Sequence, residues 1–447
     1  MIEGSSKIFE FSSVEFDAQS LLATLNYRCG DHEFSETIQF STSIIPVGIN
    51  SAMLDHALKL LHLTAGVSYY KAFVKSIDRI DVTYPLPEEI AQYLNHIYTE
   101  GLGEFFYVNN LEPKLPASFI GEGEAKALQD VAVSGYAVGL GGGKDSLVAV
   151  ELLKKIGVRP VETYGINAGP LLATQAQKLE TRHSQISRSV DTPSLKQLKT
   201  SDGSNVPNGH IPISAILGSI GLVQAVLNGL AKVVVAVERS ADEPTHYDYF
   251  GKSVNHQYSK SSDFEKSFNL VIQQWISKKM GFFSILRPLR ELDIMRLFYL
   301  LHIDEKLQGN FTSCNRSIAF TSGIRTEELW CRECDKCAFI FLLMTGADHY
   351  DEAIKTFGFD LLAKPELRKT YDALLGLTGS KPFDCVGEIN ECRESMDIAK
   401  QYSKAARNFS YPAPSKSVVW CEDNYLPSEI EPELKKLVTQ ILLGQNE

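Results

Sequence analysis

The chain has 447 residues, of which 44% are hydrophobic and 22% charged, globular proportions that exclude global disorder. That length accommodates roughly two or three domains with ample core. The formal net charge of −11 disfavours a large nucleic-acid footprint, which shows as a basic patch or stripe, yet leaves room for a phosphorylated ligand held by a few Lys and Arg.

The first residues, Met1-Ile2-Glu3-Gly4-Ser5-Ser6-Lys7, show no basic stretch followed by an apolar one. No secretory signal is expected, and the default location is the cytoplasm. Residues 1–45 carry short apolar runs punctuated by Gly30-Asp31, the pattern of a small β-meander. Residues 48–75 and 87–110 read as helical: Leu58, Leu61 and Ala65 fall at helical spacing, and Pro85 and Pro87 separate the two stretches. Residues 111–130 are rich in Pro, Gly and Ala and read as a linker. The expected division is an N-terminal α+β domain over 1–125, a domain with a cysteine cluster over 126–345, and a mostly helical region over 346–447.

In the middle region the pattern turns to α/β. Residues 136–140 are strand-like, 144–156 are apolar at helical period, and 161–166 form the next strand. The stretch 211–237 holds one charged residue, Lys232, and resembles a membrane span on first inspection. Asn228-Gly229 is a helix stop, however, and 233–237 is a β-branched run suited to a buried parallel strand. A buried helix feeding a central strand is expected, with no membrane association.

Gly141-Gly142-Gly143-Lys144-Asp145-Ser146 lies where that first strand gives way to a helix. Glycines let the backbone turn sharply and approach a ligand, and the N–H groups of the loop and first helical turn favour an anion. Ser146 adds a hydroxyl and Lys144 a charge. A P-loop would need glycine at Val138 and Ser or Thr at Asp145. The loop instead resembles the pyrophosphate-binding loop of the N-type ATP pyrophosphatases, Ser-Gly-Gly-x-Asp-Ser, with Gly141 replacing the leading serine. That resemblance implies an α/β fold with a parallel-sheet PP-loop core, similar to the adenine nucleotide α-hydrolases. It also implies ATP as the ligand, with Asp145 reconciled to the phosphates by Mg²⁺.

The chain has eight cysteines, and three of them fall in Cys331-Arg332-Glu333-Cys334-Asp335-Lys336-Cys337, with Cys314 upstream. Four thiolates suit a tetrahedral structural Zn²⁺, and an iron–sulfur cluster or free thiols are the other readings. Similar cysteine sets occur in the 7-cyano-7-deazaguanine synthases. Cys29, Cys385, Cys392 and Cys421 are left as bystanders.

Further polar segments are 208–213, Glu238-Arg239-Ser240, 254–260, Arg287-Pro288-Leu289 and 313–316. Ligands in open α/β sheets bind beyond the carboxyl ends of the strands, which places Glu238 and Arg239 near the loop. Together with 61–71, Gly103-Glu104-Phe105, the glycine loop, 330–337 and 381–388, these segments resemble the UDP-N-acetylmuramoyl-L-alanyl-L-glutamate epimerases, the MurL family. The similarity spans about 55–390.

The resemblance implies a bacterial enzyme of peptidoglycan precursor synthesis. It would invert the terminal L-Glu of UDP-MurNAc-L-Ala-L-Glu, consuming ATP with Mg²⁺ and releasing AMP and pyrophosphate. An acyl-adenylate would remove the carboxylate charge that makes the α-proton so weakly acidic. Gly141, Gly142, Gly143, Lys144, Asp145 and Ser146 would hold ATP and Mg²⁺. Arg239, Lys260, Arg287 and Arg316 would bind phosphates or substrate carboxylates. A base or acid working near neutral pH is required, with His256 and His210 first and Glu238 next. Cys314 could act as a thiol base only if it is not a zinc ligand. Two other classes share part of the pattern: a PP-loop enzyme acting on tRNA or a deazaguanine precursor, and a non-catalytic zinc-stabilised nucleotide-binding module. Nothing in the sequence indicates an oligomeric state.

Overall fold

The computed structural model describes residues 7–42, 50–129, 132–167, 169–200, 203–314, 316–319, 323–324, 328–378, 382, 384, 386–422 and 424–444. Of the positions singled out above, Met1 to Ser6, Asn315, Lys381, Phe383 and Cys385 lie outside them. The fold is α/β. Two compact units divide the chain, one drawn from residues 1–137, 184–233 and 246–282, the other from 138–183, 234–245 and 283–447.

In the first unit the expected meander is formed by strands Lys7–Asp17, Leu22–Cys29 and His32–Gln39. Neighbours run antiparallel, with Phe9 opposite Cys29 and Leu22 opposite Gln39. Strand Ile77–Val82 lies parallel to the first of these, and residues 187–189 of strand Arg182–Ser189 pair antiparallel with His32–Gln39. Ile77–Val82 stands at the edge of the sheet. Its sequence, Ile-Asp-Arg-Ile-Asp-Val, carries the charges with which edge strands resist pairing with other chains, and the same charges hide it from a hydrophobic-pattern reading.

Helix Ser51–Ala65 starts at Asn50, whose side chain accepts from the amides of Ala52 and Met53 at 3.1 Å each. It packs against helix Ile213–Leu227, the buried helix foreseen for 211–237, and strand Lys232–Val235 follows. Among the described residues no helix is long and apolar enough to cross a membrane. His62 is fully buried on helix Ser51–Ala65. Its Nε2–H donates to Asn26 O and its Nδ1 accepts from Tyr84 OH, both at 3.0 Å.

In the second unit, helix Lys144–Lys155 joins strand Tyr136–Gly139 to strand Val161–Ile166. The hydrogen-bonded order of the neighbouring strands is Gly281–Ser284, Lys232–Val235, Tyr136–Gly139, Val161–Ile166. Helix Glu291–Leu300 packs on Lys144–Lys155 and on Glu431–Leu443. Helix Asp335–Gly346, almost entirely buried, packs on Ile389–Tyr402. Gly346 permits the close crossing, because a Cβ there would meet Ser395 Oγ at 2.3 Å.

Candidate functional site

The glycine loop occupies the expected junction in the second unit: the strand ends at Gly139, and Gly143 caps helix Lys144–Lys155. Gly142 has φ +89°, a conformation that favours glycine. Its carbonyl accepts from the Thr312 amide and the Gln175 side-chain amide, both at 2.9 Å. A Cβ on Gly143 would stand 2.6 Å from Ser313 Oγ, so this position admits glycine alone unless Ser313 moves. The loop is thus backed by residues 312–313, and Gly141 faces solvent. Ser146 Oγ donates to Gly143 O at 3.3 Å.

Behind the loop lies a cluster of buried charge. Lys144 is fully buried and donates to both Asp145 and Glu291. Burial alone would lower the Lys144 pKa, but the two carboxylates raise it, so the ammonium stays charged. Lys336 Nζ stands 3.7 Å from Glu291 Oε1. The carboxyls of Asp145 and Glu238 are pushed up, first by burial and then by other nearby acids, Glu291 among them. Glu238 also accepts the Ser240 hydroxyl. Asp145, Glu238 and Glu291 together outnumber Lys144 and Lys336, and such a surplus of carboxylates suits a divalent, oxygen-seeking cation.

The arginines expected to bind anions make defined contacts in this unit. Arg239 is bidentate to Glu388, at 2.7 and 3.3 Å. Arg287 is buried and donates to Glu238 O at 2.9 Å. Arg316 is exposed and paired with Glu333 at 2.5 Å.

Cys314, Cys331, Cys334 and Cys337 converge, with all four sulfurs within 4.8 Å of one another. A tetrahedral zinc with Zn–S of about 2.3 Å sets its sulfurs about 3.8 Å apart. The closest pairs here measure 3.9 Å (Cys314–Cys334), 3.8 Å (Cys331–Cys337) and 3.6 Å (Cys334–Cys337). The Cys331 amide points at Cys314 Sγ and the Glu333 amide at Cys331 Sγ, each at 3.4 Å, donors that suit thiolates. Cys334 caps helix Asp335–Gly346 and Cys337 lies in its first turn, where the helix dipole also favours negative sulfur. The donor set fits zinc. Cys29 and Cys392 are buried outside the cluster, and Cys421 is half-buried.

The two histidines fall in the first unit and come together. Their rings are 4.5 Å apart between centroids. His256 Nδ1 is hydrogen-bonded to Glu104 Oε2, and His210 Nδ1 lies 3.7 Å from the same oxygen. A carboxylate can only accept, so Nδ1 of His256 carries the proton and Nε2 is left as the other ring position. Burial pulls the His210 pKa down to about 4, helped by His256, Lys260 and Lys71 against the pull of Glu104. Burial alone would raise the Glu104 carboxyl, but the His256 hydrogen bond and the two imidazoles hold it below the usual range. Glu104 Oε2 thus faces both Nδ1 atoms, and the three ligand-type atoms lie within 4.8 Å of one another, a geometry that suits either an imidazole pair oriented by a carboxylate or a metal ion.

Local structure fixes the trio. Glu104 is in the first turn of helix Gly103–Val108. Asn109 holds the 208–210 segment to that helix by donating to Phe105 O at 2.8 Å and Asn208 O at 3.0 Å. The amide of Gln257 closes on Asn255 Oδ1 at 2.7 Å, leading into the turn Tyr258–Lys260 that carries Lys260. All three side chains are half-buried, so a ligand can reach them. Sequence reasoning assigned no role to Glu104, Lys336 or Glu388, although each lies in a family-like segment quoted above, and it did not reach Glu291. The available signal was a charged residue inside an otherwise apolar, aromatic run, as with Glu104 beside Phe105-Phe106.

The family model described as the MurL N-terminal domain matches residues 2–285, and that of the MurL C-terminal domain matches 310–413. Three relatives carry the name UDP-N-acetyl-alpha-D-muramoyl-L-alanyl-L-glutamate epimerase. The one from Xanthomonas oryzae pv. oryzae is 35% identical over 87% of this chain and 85% of its own. Those from Micromonospora sp. and Salinispora tropica are 34% and 32% identical, over 87% and 88% of this chain and 86% and 85% of theirs. The chain belongs to the MurL family.

Proposed function

We propose that this chain inverts the α-carbon of the terminal glutamate in UDP-MurNAc-L-Ala-L-Glu, with ATP cleaved to AMP and pyrophosphate. Membership of a family whose relatives are named for this epimerisation carries the reading. A UDP-linked substrate and ATP are both cytoplasmic compounds, and the reaction is proposed to run there.

The chemistry divides between two sets of residues. A carboxylate resists loss of its α-proton because a second negative charge would develop beside the first. Esterification to AMP removes that obstacle. In our reading the second unit is a PP-loop core, and Gly141 to Ser146 receive the ATP phosphates on their backbone amides. Asp145, Glu238 and Glu291 would hold Mg²⁺, which supplies charge neutralisation at the phosphates. Arg239 and Arg287 would take up anionic groups once displaced from Glu388 and Glu238, and Lys260 and Arg316 would serve at the substrate's periphery. Zinc on the four cysteines would be structural, which excludes Cys314 as a thiol base. Glu238 is assigned to the cation rather than to proton transfer because its neighbours are the loop's acids. Proton transfer falls to His256 through Nε2, with Glu104 orienting the ring and the His210 ring tilted against it.

The test is incubation with ATP, Mg²⁺ and UDP-MurNAc-L-Ala-L-Glu in D₂O, followed by hydrolysis and chiral separation of glutamate. D-Glutamate carrying one α-deuterium, with AMP formed in step, is the expected result. Pyrophosphate release stimulated only by tRNA, or no D-glutamate at all, would overturn the reading.

A further inference from the structure

Inverting a carbon requires a proton to leave one face and arrive at the other, and one imidazole fixed by Glu104 serves one face. We propose that Lys71 is the second proton-transfer residue, acting on the face of the α-carbon opposite His256; this rests on the epimerase reading above.

The placement of Lys71 supports it. Lys71 opens the turn Lys71–Phe73, directly after the buried residues of helix Val67–Tyr70. Its Nζ donates to Gly209 O at 2.8 Å. Gly209 precedes His210, so the ammonium is tied to the backbone beside the histidine pair. The acceptor is a neutral carbonyl, so among the described residues this bond leaves the ammonium charge uncompensated and its other N–H groups directed elsewhere. Lys71 is half-buried, as are Glu104, His210 and His256. Desolvation draws its pKa down to about 8, close to the pH at which a group gives and takes protons with equal ease. Below that value it is mostly the ammonium, and therefore enters the cycle as the acid.

The step balances as follows. His256 Nε2 takes the α-proton, and the C–H electron pair moves into the activated acyl carbonyl to give an enolate. Lys71 Nζ–H delivers a proton to the α-carbon from the other face, and the pair returns as the new C–H bond. Lys71 is left neutral and His256 protonated. Solvent reprotonates the first and deprotonates the second before the next turnover.

A residue with this role, when removed, uncouples exchange from inversion. The full chain with bound zinc, ATP, Mg²⁺ and UDP-MurNAc-L-Ala-L-Glu in D₂O is compared with Lys71→Met and Lys71→Arg. In Lys71→Met, D-glutamate formation should fall at least ~100-fold, while deuterium entry into recovered L-glutamate stays within about 10-fold of wild type. Persisting pyrophosphate release shows that this variant is folded. Lys71→Arg keeps the charge but does not release its proton, and should not restore inversion. Undiminished inversion in Lys71→Met overturns the proposal. So does loss of exchange together with inversion, with both regained in Lys71→Arg, which would mark a binding cation. A wild-type chain that makes no D-glutamate would instead sink the epimerase reading itself.

Discussion

Glu104 and Lys144 are opposite cases of charge held out of water. Glu104 keeps its charge because it has imidazoles to hold. Lys144 keeps its own because it has Asp145 and Glu291, so its charge is already spent within the protein. In the proposed nucleotide site, attraction for phosphate would therefore rest on backbone amides and on a cation bound by the acids, more than on the lysine itself. In the proposed mechanism Glu104 positions His256, and its removal should show in proton transfer alone. Glu104→Ala is expected to lower α-proton exchange about 100-fold, the lower end of what a placed acid–base group contributes. Glu104→Gln, which offers an oxygen to Nδ1–H but no charge, should fall between the two. ATP-dependent pyrophosphate release and KM for ATP should be unchanged in both, and a parallel fall in them would remove Glu104 from this role.

Among elements, helix Ser51–Ala65 carries a latent acid weakness. His62 is buried between Asn26 O and Tyr84 OH, and burial lowers its pKa to about 4. In the unfolded chain it titrates near 6.5, so below that pH the unfolded state binds the extra proton and the folded state does not. The contribution of His62 to stability is therefore complete above pH ~6.5 and declines as the pH falls towards 4. Between pH 7 and 5 the loss is about 2 kcal/mol. His62→Gln keeps a donor for Asn26 O and an acceptor for Tyr84 OH without a titrating ring. Its urea midpoint should fall less than that of wild type over the same interval, and identical pH profiles would refute the assignment. Helix Asp335–Gly346 is the second element that does more than pack. Its first turn offers Cys337 to the sulfur cluster and Lys336 to Glu291, so one turn serves both the sulfur cluster and the charge cluster behind the loop.

For the whole molecule, the sulfur cluster acts as a clip. Cys314 follows Ser313 and Thr312, the residues that back Gly143 and Gly142. Elemental analysis should find one zinc per chain. Cys334→Ser should lose it, lower Tm by several degrees, and weaken pyrophosphate release through the loosened loop backing. Less than about half an equivalent of zinc in the wild type, with the four thiols free, would dismiss the metal. The net charge of −11 coexists with an anionic substrate because the cations proposed to meet it are local. Several already face carboxylates, Arg239 on Glu388 and Arg316 on Glu333 among them, so ligand binding must compete with those pairs.

What the sequence determined by itself was local. The meander, the helix and strand within 211–237, the strand–glycine loop–helix junction and the cysteine spacing all follow from neighbours a few residues apart, whose propensities and periodicities act before any tertiary contact forms. The charged edge strand Ile77–Val82 escaped, because its partner rather than its composition makes it a strand. The tertiary structure alone decided the partnerships: His256 with Glu104, 152 residues apart, and Lys144 with Glu291, 147 apart. It also decided that the chain divides into two units, each assembled from three separate stretches. The reason is physical. A buried charge is stable only where topology brings it an opposite charge or a hydrogen-bond partner, and topology is a property of the whole chain.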